Sequence, residues 1–283
     1  SHSQYCVASD NGNKELLAHK LIIDELPEAL ANNDIIMHYQ PQYCLQTNTL
    51  VGFEALSRWH HSELGPVRPD IFVAIAEEIG LHFEFDLAVF EQVCKQVVAW
   101  NNAGLENYIP RIAINVSFKT LEMTTFAARV EKIIQQLACP ADKIEIEVTE
   151  TTSVNNIDML ASNITQIKAL GVHIAIDDFG SGYSSLSLIR RLRGLLDKLK
   201  IDRSLVANIS EATIDKEFAR KIIGLCRTLG IKALAEGVET QEQRDILTEL
   251  SCDYAQGYLY DPALTHDQAA ALMKVSQRCK LKE

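Results

Sequence analysis

The sequence lacks the features that mark membrane-spanning, disulfide-bonded and nucleic-acid-binding proteins. No apolar run approaches the roughly 20 residues that a membrane-spanning helix needs, and the N-terminus shows no signal-peptide pattern. The seven cysteines are scattered and include no Cys-x-x-Cys pair, which indicates reduced thiols in the cytoplasm, in a free protein or in the cytoplasmic part of a larger, membrane-anchored one. Because the formal net charge is −11, we expect no nucleic-acid polymer as a partner.

Repeats, low-complexity segments and linkers rich in proline or glycine are also missing, so a single domain is the simplest interpretation. The chain is 47% hydrophobic and 23% charged over 283 residues, which is enough to bury a full core without disulfides. Residues 1–14 are polar and aperiodic. We expect a flexible tail or a remnant of protein production there, and a domain that covers residues 15–283.

Strand-like and helix-like patterns alternate along most of the chain. Residues 35–43 and 50–59 are two strand-like runs, and the turn between them is too short for a parallel connection, which predicts an antiparallel pair. After this pair, short apolar runs alternate with helical stripes and bring the total to about eight strands. The pattern predicts an α/β fold, a (β/α)8 TIM-like barrel with an antiparallel first strand.

Polar residues stand at the carboxyl ends of several predicted strands, where barrels of this kind carry their active sites. The run 173–176 ends in Asp177 and Asp178, whose charges would repel each other unless a cation lies between them. Alternation in residues 144–149 predicts that Glu145 and Glu147 point into the barrel. The other strand ends carry Glu54, Arg58, Asn115, Lys200, Glu236 and Gln256.

These side chains form an all-oxygen ligand set, which suits Mg²⁺ or Mn²⁺ better than zinc or copper. A bridging aspartate with acids on both sides is typical of two ions held roughly 3.5–4 Å apart for phosphoester hydrolysis. A nearby lysine and glutamate then orient the water and transfer protons. Surface salt bridges are the alternative, but acids at so many strand ends argue against it. His60 and His61 are predicted to be packing residues rather than ligands.

Motifs in one fixed order between about residues 22 and 270 extend this pattern. They are Tyr39-Gln40-Pro41, Glu54-Ala55-Leu56, Asn115-Val116-Ser117, Glu147-Val148-Thr149-Glu150, Asp177-Asp178-Phe179-Gly180, Lys200-Ile201-Asp202, Ala235-Glu236-Gly237-Val238-Glu239 and Gln256-Gly257-Tyr258. The sequence thereby resembles the EAL-domain cyclic di-GMP phosphodiesterases. The resemblance implies a barrel with an antiparallel first strand and an enzyme that opens cyclic di-GMP to linear pGpG with two Mg²⁺ or Mn²⁺ ions per active site.

The resemblance also implies a role for each matching residue. The ligands of one ion would be Glu54, Asn115, Glu147 and Asp177, and those of the second would be Asp177, Asp178 and Glu236. Lys200 would hold the attacking water and Glu236 is also a candidate general base, while Glu239 and Gln256 would complete the ligand and water network. The dinucleotide would bind Gln40, Leu56 and Arg58, and Glu150 would stabilise the loop after Asp178.

Two alternatives to a hydrolase stay open. One is a non-catalytic EAL module that binds cyclic di-GMP as a signalling receptor, although every matching ligand position is intact here. The other is a protein-interaction scaffold without a nucleotide. The resemblance further implies a homodimer, and regulatory or cyclase domains in a larger parent protein. Departures from the family pattern are Ser181 in place of Thr, a longer segment at residues 193–196 and a shorter one at residues 260–262.

Overall fold

The structure is a computed structural model, and it describes residues 10–149, 156–180 and 186–280. The strands are β1 (Ile35–Cys44), β2 (Leu50–His61), β3 (Gly65–Val67), β4 (Arg111–Val116), β5 (Ile144–Thr149), β6 (His173–Phe179), β7 (Lys198–Ile201), β8 (Lys232–Ala235) and β9 (Tyr254–Gln256). The helices are α1 (Asp10–Asn32), α2 (Pro69–Glu78), α3 (His82–Trp100), α4 (Phe118–Leu121), α5 (Phe126–Leu137), α6 (Ile157–Ala169), α7 (Leu186–Arg191), α8 (Arg203–Ala207), α9 (Thr213–Leu229), α10 (Gln241–Glu249) and α11 (His266–Lys280). Among these helices, none is both long and apolar enough to cross a membrane.

Eight of the strands close into a barrel with helices around it. Strand β1 pairs antiparallel with β2 on one side and with β9 on the other, and the neighbours from β2 through β4 to β9 pair in parallel. The remaining strand, β3, forms a short hairpin on the end of β2. The predicted barrel with an antiparallel first strand is confirmed.

Helix caps keep the connections before and after β8 short. Helix α9 buries one apolar stripe and ends at Gly230, which adopts a left-handed φ of 71° as the C-cap that a glycine after such a stripe predicts. After β8, Thr240 and Gln243, which have the sequence spacing of a capping box, form that box and open α10. The Gln243 side chain also accepts the backbone N–H of Glu239 at 2.8 Å, so the cap fixes the loop that carries Glu236 and Glu239.

The barrel interior is filled by layers of four side chains drawn from alternate strands, the arrangement expected of such barrels. The upper layer, next to the carboxyl ends, contains Glu54, Glu147, Lys200 and Gln256. The middle layer contains Gln42, Ala113, Ala175 and Leu234. The lower layer contains Gly52, Glu145, Lys198 and Tyr254. Two of these three layers are polar, whereas barrels of this type usually fill theirs with branched apolar residues.

The structure differs from the sequence prediction in three elements. The sequence pattern predicts a last strand over residues 254–258, but β9 ends at Gln256, because the backbone N–H of Leu259 donates to the carbonyl oxygen of Val238. Strand β3 is not predicted, since three residues that include a proline carry no strand pattern. The sequence pattern predicts a final helix from about His266 to Val275, but α11 continues to Lys280.

Asp86 on α3 is a buried acid whose ionisation the fold opposes. Its carboxylate accepts the backbone N–H of Ser117 at 3.0 Å, and burial raises its pKa to about 6. A carboxyl group with a raised pKa binds its proton more tightly in the folded chain than in the unfolded chain. Its contribution to the free energy of unfolding is therefore fully present below about pH 4 and is lost as the pH rises through the folded pKa.

Asp86→Asn should remove this titration while it keeps an oxygen that accepts the Ser117 N–H. We expect the variant to be more stable than the wild type at pH 7.5, and we expect its advantage to be smaller by roughly 1 kcal/mol at pH 5. Urea unfolding of both proteins in EDTA at the two pH values measures this difference. An advantage of equal size at both values would contradict the raised pKa.

Candidate metal and active site

The candidate site lies at the carboxyl end of the barrel, around the side chain of Lys200. Its ammonium nitrogen contacts the carboxylates of Glu147 at 2.7 Å, Glu236 at 2.8 Å, Asp177 at 3.0 Å and Glu54 at 3.4 Å. Lys200 is completely buried, and so is Glu147. Four acids thus share one cation, and this excess of negative charge is costly in a buried place.

The excess of acids is reflected in their pKa values. Burial raises the pKa of Glu147 and of Asp177 even though Lys200 lies beside them. Burial also raises the pKa of Glu236 to about 8, and burial together with the charge of Asp177 raises the pKa of Asp178 to about 6. Without a further cation, protons therefore relieve part of the repulsion, and a divalent cation would replace them.

Glu54 and Lys200 are the two members of the cluster that the surroundings hold in the charged form. Burial opposes the ionisation of Glu54, but Lys200 and the amides of Gln256 and Asn115 hold its pKa below the ordinary value. Burial likewise opposes the charge on Lys200, but the surrounding carboxylates hold its pKa well above the ordinary value. The site therefore contains a fixed ion pair surrounded by acids that titrate.

Two groups of carboxylates have the spacing of metal sites, and they share one residue. Glu54, Glu147 and Asp177 form the first group, and Asp177, Asp178 and Glu236 form the second. Within each group, one oxygen per residue lies within 4.8 Å of the others. The carboxylates that the resemblance assigns to two ions thus lie close together in these two groups, with Asp177 common to both, and their role as ligands stays a prediction.

Unpartnered oxygen atoms support the fit of a cation to the first group. The Asn115 side chain donates to Glu54 at 2.7 Å, which leaves its buried Oδ1 without a hydrogen-bond partner among the described residues. The buried Oε1 of Glu147 is also without a partner in that part of the chain. Because buried polar atoms are normally paired, these two oxygens are suited to a hard cation such as Mg²⁺ or Mn²⁺.

Asp178 is held in a strained backbone conformation beside Asp177. Its φ is 54°, in the left-handed region that residues other than glycine seldom adopt. In this conformation its backbone N–H donates to the Asp177 carboxylate at 2.8 Å. This hydrogen bond holds Asp177 and Asp178 in a fixed relative position. Strained backbone conformations of this kind are common at functional sites.

Glu239 lies apart from the carboxylate cluster, although a catalytic role was predicted for it. Its side chain is 43% exposed and forms an ion pair with Arg203 at 2.7 Å. It borders a cleft of about 200 Å³ that also contains Gln40, Glu236 and Tyr258. Its part in a ligand and water network stays a prediction.

The predicted substrate residues lie on both sides of the cluster. In the first cleft, Oε1 of Gln40 accepts a hydrogen bond from the side-chain amide of Gln256 at 3.0 Å. Leu56 lines a second cleft of about 330 Å³ beside Asp177 and Asp178. Arg58 is partly buried and donates to the backbone oxygen of Ser57 at 2.9 Å. Glu150 and residues 181–185 lie outside the described residues, so the predicted loop role of Glu150 also stays a prediction.

A larger cavity of about 670 Å³ lies at the opposite end of the barrel, lined by Tyr108, Arg111, Lys143 and Lys198 among others. Neither of the two acidic groups borders it. The carboxylates, and not the volume of a cavity, therefore define the candidate site, in agreement with the usual position of active sites in these barrels.

Two residues next to the site were missed by the sequence analysis. Gln42 and Lys198 are almost completely buried and hydrogen-bonded to each other below the carboxylates. Lys198 also pairs with Glu145 in the lower layer. The available signal was the spacing: Lys198 and Lys200 stand two residues apart on β7, as Glu145 and Glu147 do on β5.

Comparisons with known proteins agree with this geometry. The sequence model of the EAL domain matches residues 23–263. The chain is 37% identical over 241 residues to the cyclic di-GMP phosphodiesterase NbdA of Pseudomonas aeruginosa, covering 85% of this chain and 30% of NbdA. It is 32% identical to the bifunctional diguanylate cyclase/cyclic di-GMP phosphodiesterase MucR of the same species, covering 94% of this chain and 38% of MucR. The chain thus spans about a third of the length of these curated relatives.

One solved structure has the same fold as this chain over nearly all of its own residues. It is the PaMucR phosphodiesterase in complex with c-di-GMP, with a TM-score of 0.80 and 32% sequence identity. The match covers 88% of this chain and 99% of that one.

Proposed function

Because the chain belongs to the EAL domain family, we propose that it is a metal-dependent phosphodiesterase that hydrolyses cyclic di-GMP to linear pGpG. The observation that carries the proposal is the pair of acidic groups that share Asp177 and enclose Lys200. A receptor that only bound the nucleotide would have no need of so many buried carboxylates, which are costly to keep together without a cation. Named relatives that hydrolyse cyclic di-GMP support the same choice.

The donor set decides which metals fit. We assign Glu54, Asn115, Glu147 and Asp177 to one ion, and Asp177, Asp178 and Glu236 to a second. All of these donors are oxygen atoms, and Mg²⁺ and Mn²⁺ prefer such ligands. When bound, a pair of divalent ions supplies Lewis acidity, which stabilises charge on a phosphate and lowers the pKa of water.

The chain's own groups then position the water and transfer protons. The Lys200 ammonium is completely buried and charged, so we assign it to orient the attacking water towards the phosphorus. Glu236 contacts Lys200 at 2.8 Å, which places its carboxylate beside the proposed water, so we assign it as the group that takes up a proton and returns it. Gln256 holds Glu54 by a hydrogen bond of 2.6 Å, and Glu239 stands at the rim of the cleft.

We place the dinucleotide across the mouth of the barrel. The clefts on either side of the carboxylates contain Gln40 in one and Leu56 in the other. The net charge of −11 opposes the approach of an anionic substrate. Local cations therefore have to attract the phosphates, and we assign that role to Arg58 together with the metal ions.

The rest of the parent protein is part of the proposal. The curated relatives are about three times as long as this chain, and the name of MucR includes a diguanylate cyclase activity. We infer that regulatory or cyclase domains accompany this domain, and that Glu150 stabilises the loop after Asp178. Homodimerisation is a further expectation, which sedimentation of the purified protein tests.

The decisive experiment is product analysis. The protein is incubated with cyclic di-GMP in Mg²⁺, Mn²⁺, Ca²⁺ or EDTA, and the products are separated by chromatography. We expect pGpG with Mg²⁺ and Mn²⁺, much less with Ca²⁺, and none in EDTA, because the larger Ca²⁺ ion coordinates too loosely to position the reacting groups. Calorimetric binding of cyclic di-GMP without pGpG in any metal would overturn the proposal and support the non-catalytic receptor.

A further inference from the structure

We propose that Lys198 and Gln42 are positioning residues, which orient the amide of Gln256 towards Glu54 and so set the affinity of the site for its metal. The inference rests on the proposed function, because it assigns Glu54 as a metal ligand. Neither Lys198 nor Gln42 touches the mouth of the barrel. They act through a line of hydrogen bonds that crosses the three interior layers, which we call the relay.

The relay is continuous and buried. The Nζ atom of Lys198 donates to Oε1 of Gln42 at 3.0 Å, and Nε2 of Gln42 donates to Oε1 of Gln256 at 3.0 Å. Nε2 of Gln256 then donates to Glu54 at 2.6 Å and to Gln40 at 3.0 Å. Lys198, Gln42 and Gln256 are exposed by 5% or less, so these bonds are largely shielded from water.

The chemistry of the two ends gives the relay one direction. An ammonium group only donates hydrogen bonds, so the atom of Gln42 that faces Lys198 has to be its oxygen. The Gln42 nitrogen therefore donates to the oxygen of Gln256, and the Gln256 nitrogen donates to Glu54. A carboxylate only accepts, so Glu54 requires the same order from the other end. Rotation of either amide by 180° would place two acceptors against each other.

Among the described residues, Lys198 and Gln256 are the partners of the Gln42 amide. The rest of the middle layer consists of Ala113, Ala175 and Leu234, which carry no polar side-chain atoms. Gly52 makes room for the amide, since a Cβ atom there would lie 2.7 Å from Oε1 of Gln42. The relay is thus a polar path through an otherwise apolar layer, and it supplies the donor to Oε1 of Gln256.

The ammonium group of Lys198 is itself held in place by two residues of the lower layer. Its ammonium pairs with Glu145 at 2.5 Å and lies 6.0 Å from the centre of the Tyr254 ring. Glu145 is completely buried. The pair therefore fixes the first donor of the relay, and removal of Lys198 alone would leave a buried carboxylate without its cation.

Loss of the relay should weaken the metal site without removing a ligand. Without the Gln42 amide, Oε1 of Gln256 loses its donor, so the Gln256 amide is held only by its bonds to Glu54 and Gln40, and its hydrogen bond to Glu54 is less firmly placed. Groups that hold metal ligands in this way typically change metal affinity by about 10- to 100-fold when they are removed. The Lys200 contacts and the ligand atoms remain.

Two variants interrupt the relay at different points. Lys198→Met/Glu145→Met replaces both charges of the buried pair with apolar side chains of similar length, which avoids an unpaired charge. Gln42→Met keeps the ion pair and removes the amide, so it carries the test if the double variant fails to fold. Lys232→Met is the matched control, because this lysine also stands on a barrel strand and pairs with Asp253 at 2.7 Å, but is exposed and outside the relay.

The readouts are the dissociation constant for Mn²⁺ by calorimetry, the melting temperature in EDTA, and the Mn²⁺ dependence of kcat and KM. We expect each relay variant to bind Mn²⁺ about 10-fold more weakly and to recover kcat at saturating Mn²⁺, with little change in KM for cyclic di-GMP. The combined variant with all three substitutions should bind no more weakly than either one, because a linear path is broken only once. The control should bind Mn²⁺ as the wild type does.

Three results would overturn the relay: unchanged Mn²⁺ affinity in both variants, fully additive losses in the combined variant, or equal weakening in Lys232→Met. Failure of the proposed function is separate, since it shows as a wild type that binds Mn²⁺ but makes no pGpG, and the Mn²⁺ affinities still decide the relay. A wild type that binds no Mn²⁺ would overturn both.

Discussion

Asp177→Asn should lower the turnover of cyclic di-GMP by about 10³-fold or more, because Asp177 is the one carboxylate that belongs to both acidic groups. Loss of its charge weakens both proposed ion sites at once, and each site contributes several kcal/mol of transition-state stabilisation. The asparagine still accepts the backbone N–H of Asp178, so the local conformation should persist. Because one repelling charge is removed, the melting temperature in EDTA should stay the same or rise.

Asp253→Asn is the matched control for this prediction. Asp253 precedes β9 at the opposite end of the barrel and accepts the backbone N–H of Ala233 at 3.0 Å. Its loss removes the same charge from the protein without touching the acidic groups, so turnover should stay within a factor of two or three. Turnover by Asp177→Asn at the wild-type rate would exclude Asp177 from the metal site.

Lys200→Met should have the second large effect, on stability as well as on activity. Its ammonium contacts four carboxylates, and removal of the cation from a buried ionic cluster costs about 3–5 kcal/mol. In EDTA the melting temperature should therefore fall by roughly 10 °C. Mn²⁺ should raise it by more than in the wild type, because the ions replace the missing charge. Turnover at saturating Mn²⁺ should be lower by about 10²- to 10³-fold, since the donor that orients the water is lost.

The Lys232→Met variant is the control that shows whether these effects are specific to Lys200 or follow from the loss of a lysine elsewhere on a barrel strand. Its exposed ion pair with Asp253 should contribute less than about 1 kcal/mol. If Lys200→Met melted at the wild-type temperature in EDTA, the carboxylates would not depend on Lys200 for charge compensation. If it retained full turnover, the proposed role of Lys200 would be wrong.

Much of the barrel could be predicted because strand patterns in the sequence are local. The alternation of apolar and acidic residues in β5 placed Glu145 and Glu147 in the interior, and both are completely buried there. The short turn after β1 fixed the antiparallel pair. The carboxyl ends of the strands then identified the residues of the acidic groups, since parallel strands bring those ends to one side.

The contacts inside the barrel could not be predicted in the same way. Glu145 and Lys198 belong to β5 and β7, which are not neighbours in the sheet. The side chains meet because the tilt and stagger of the barrel bring alternate strands to the same height. The spacing in each strand shows which way a side chain points, but not which side chain it faces. For this reason, the cluster around Lys200 and the relay below it appear only in three dimensions.

The antiparallel strand β1 also determines at which stage of folding the candidate site forms. Gln256 on β9 bonds Gln42, Gln40 and Glu54, which lie 214, 216 and 202 residues away along the chain. These bonds cross or adjoin the seam where β1 meets β9, and closing so long a loop is an entropically slow step of folding. A chain with every other strand in place but an open seam would lack an oriented Gln256. We therefore expect tight binding of the proposed metal ions only in the completely closed barrel, so that its appearance during refolding would report the closure of that seam.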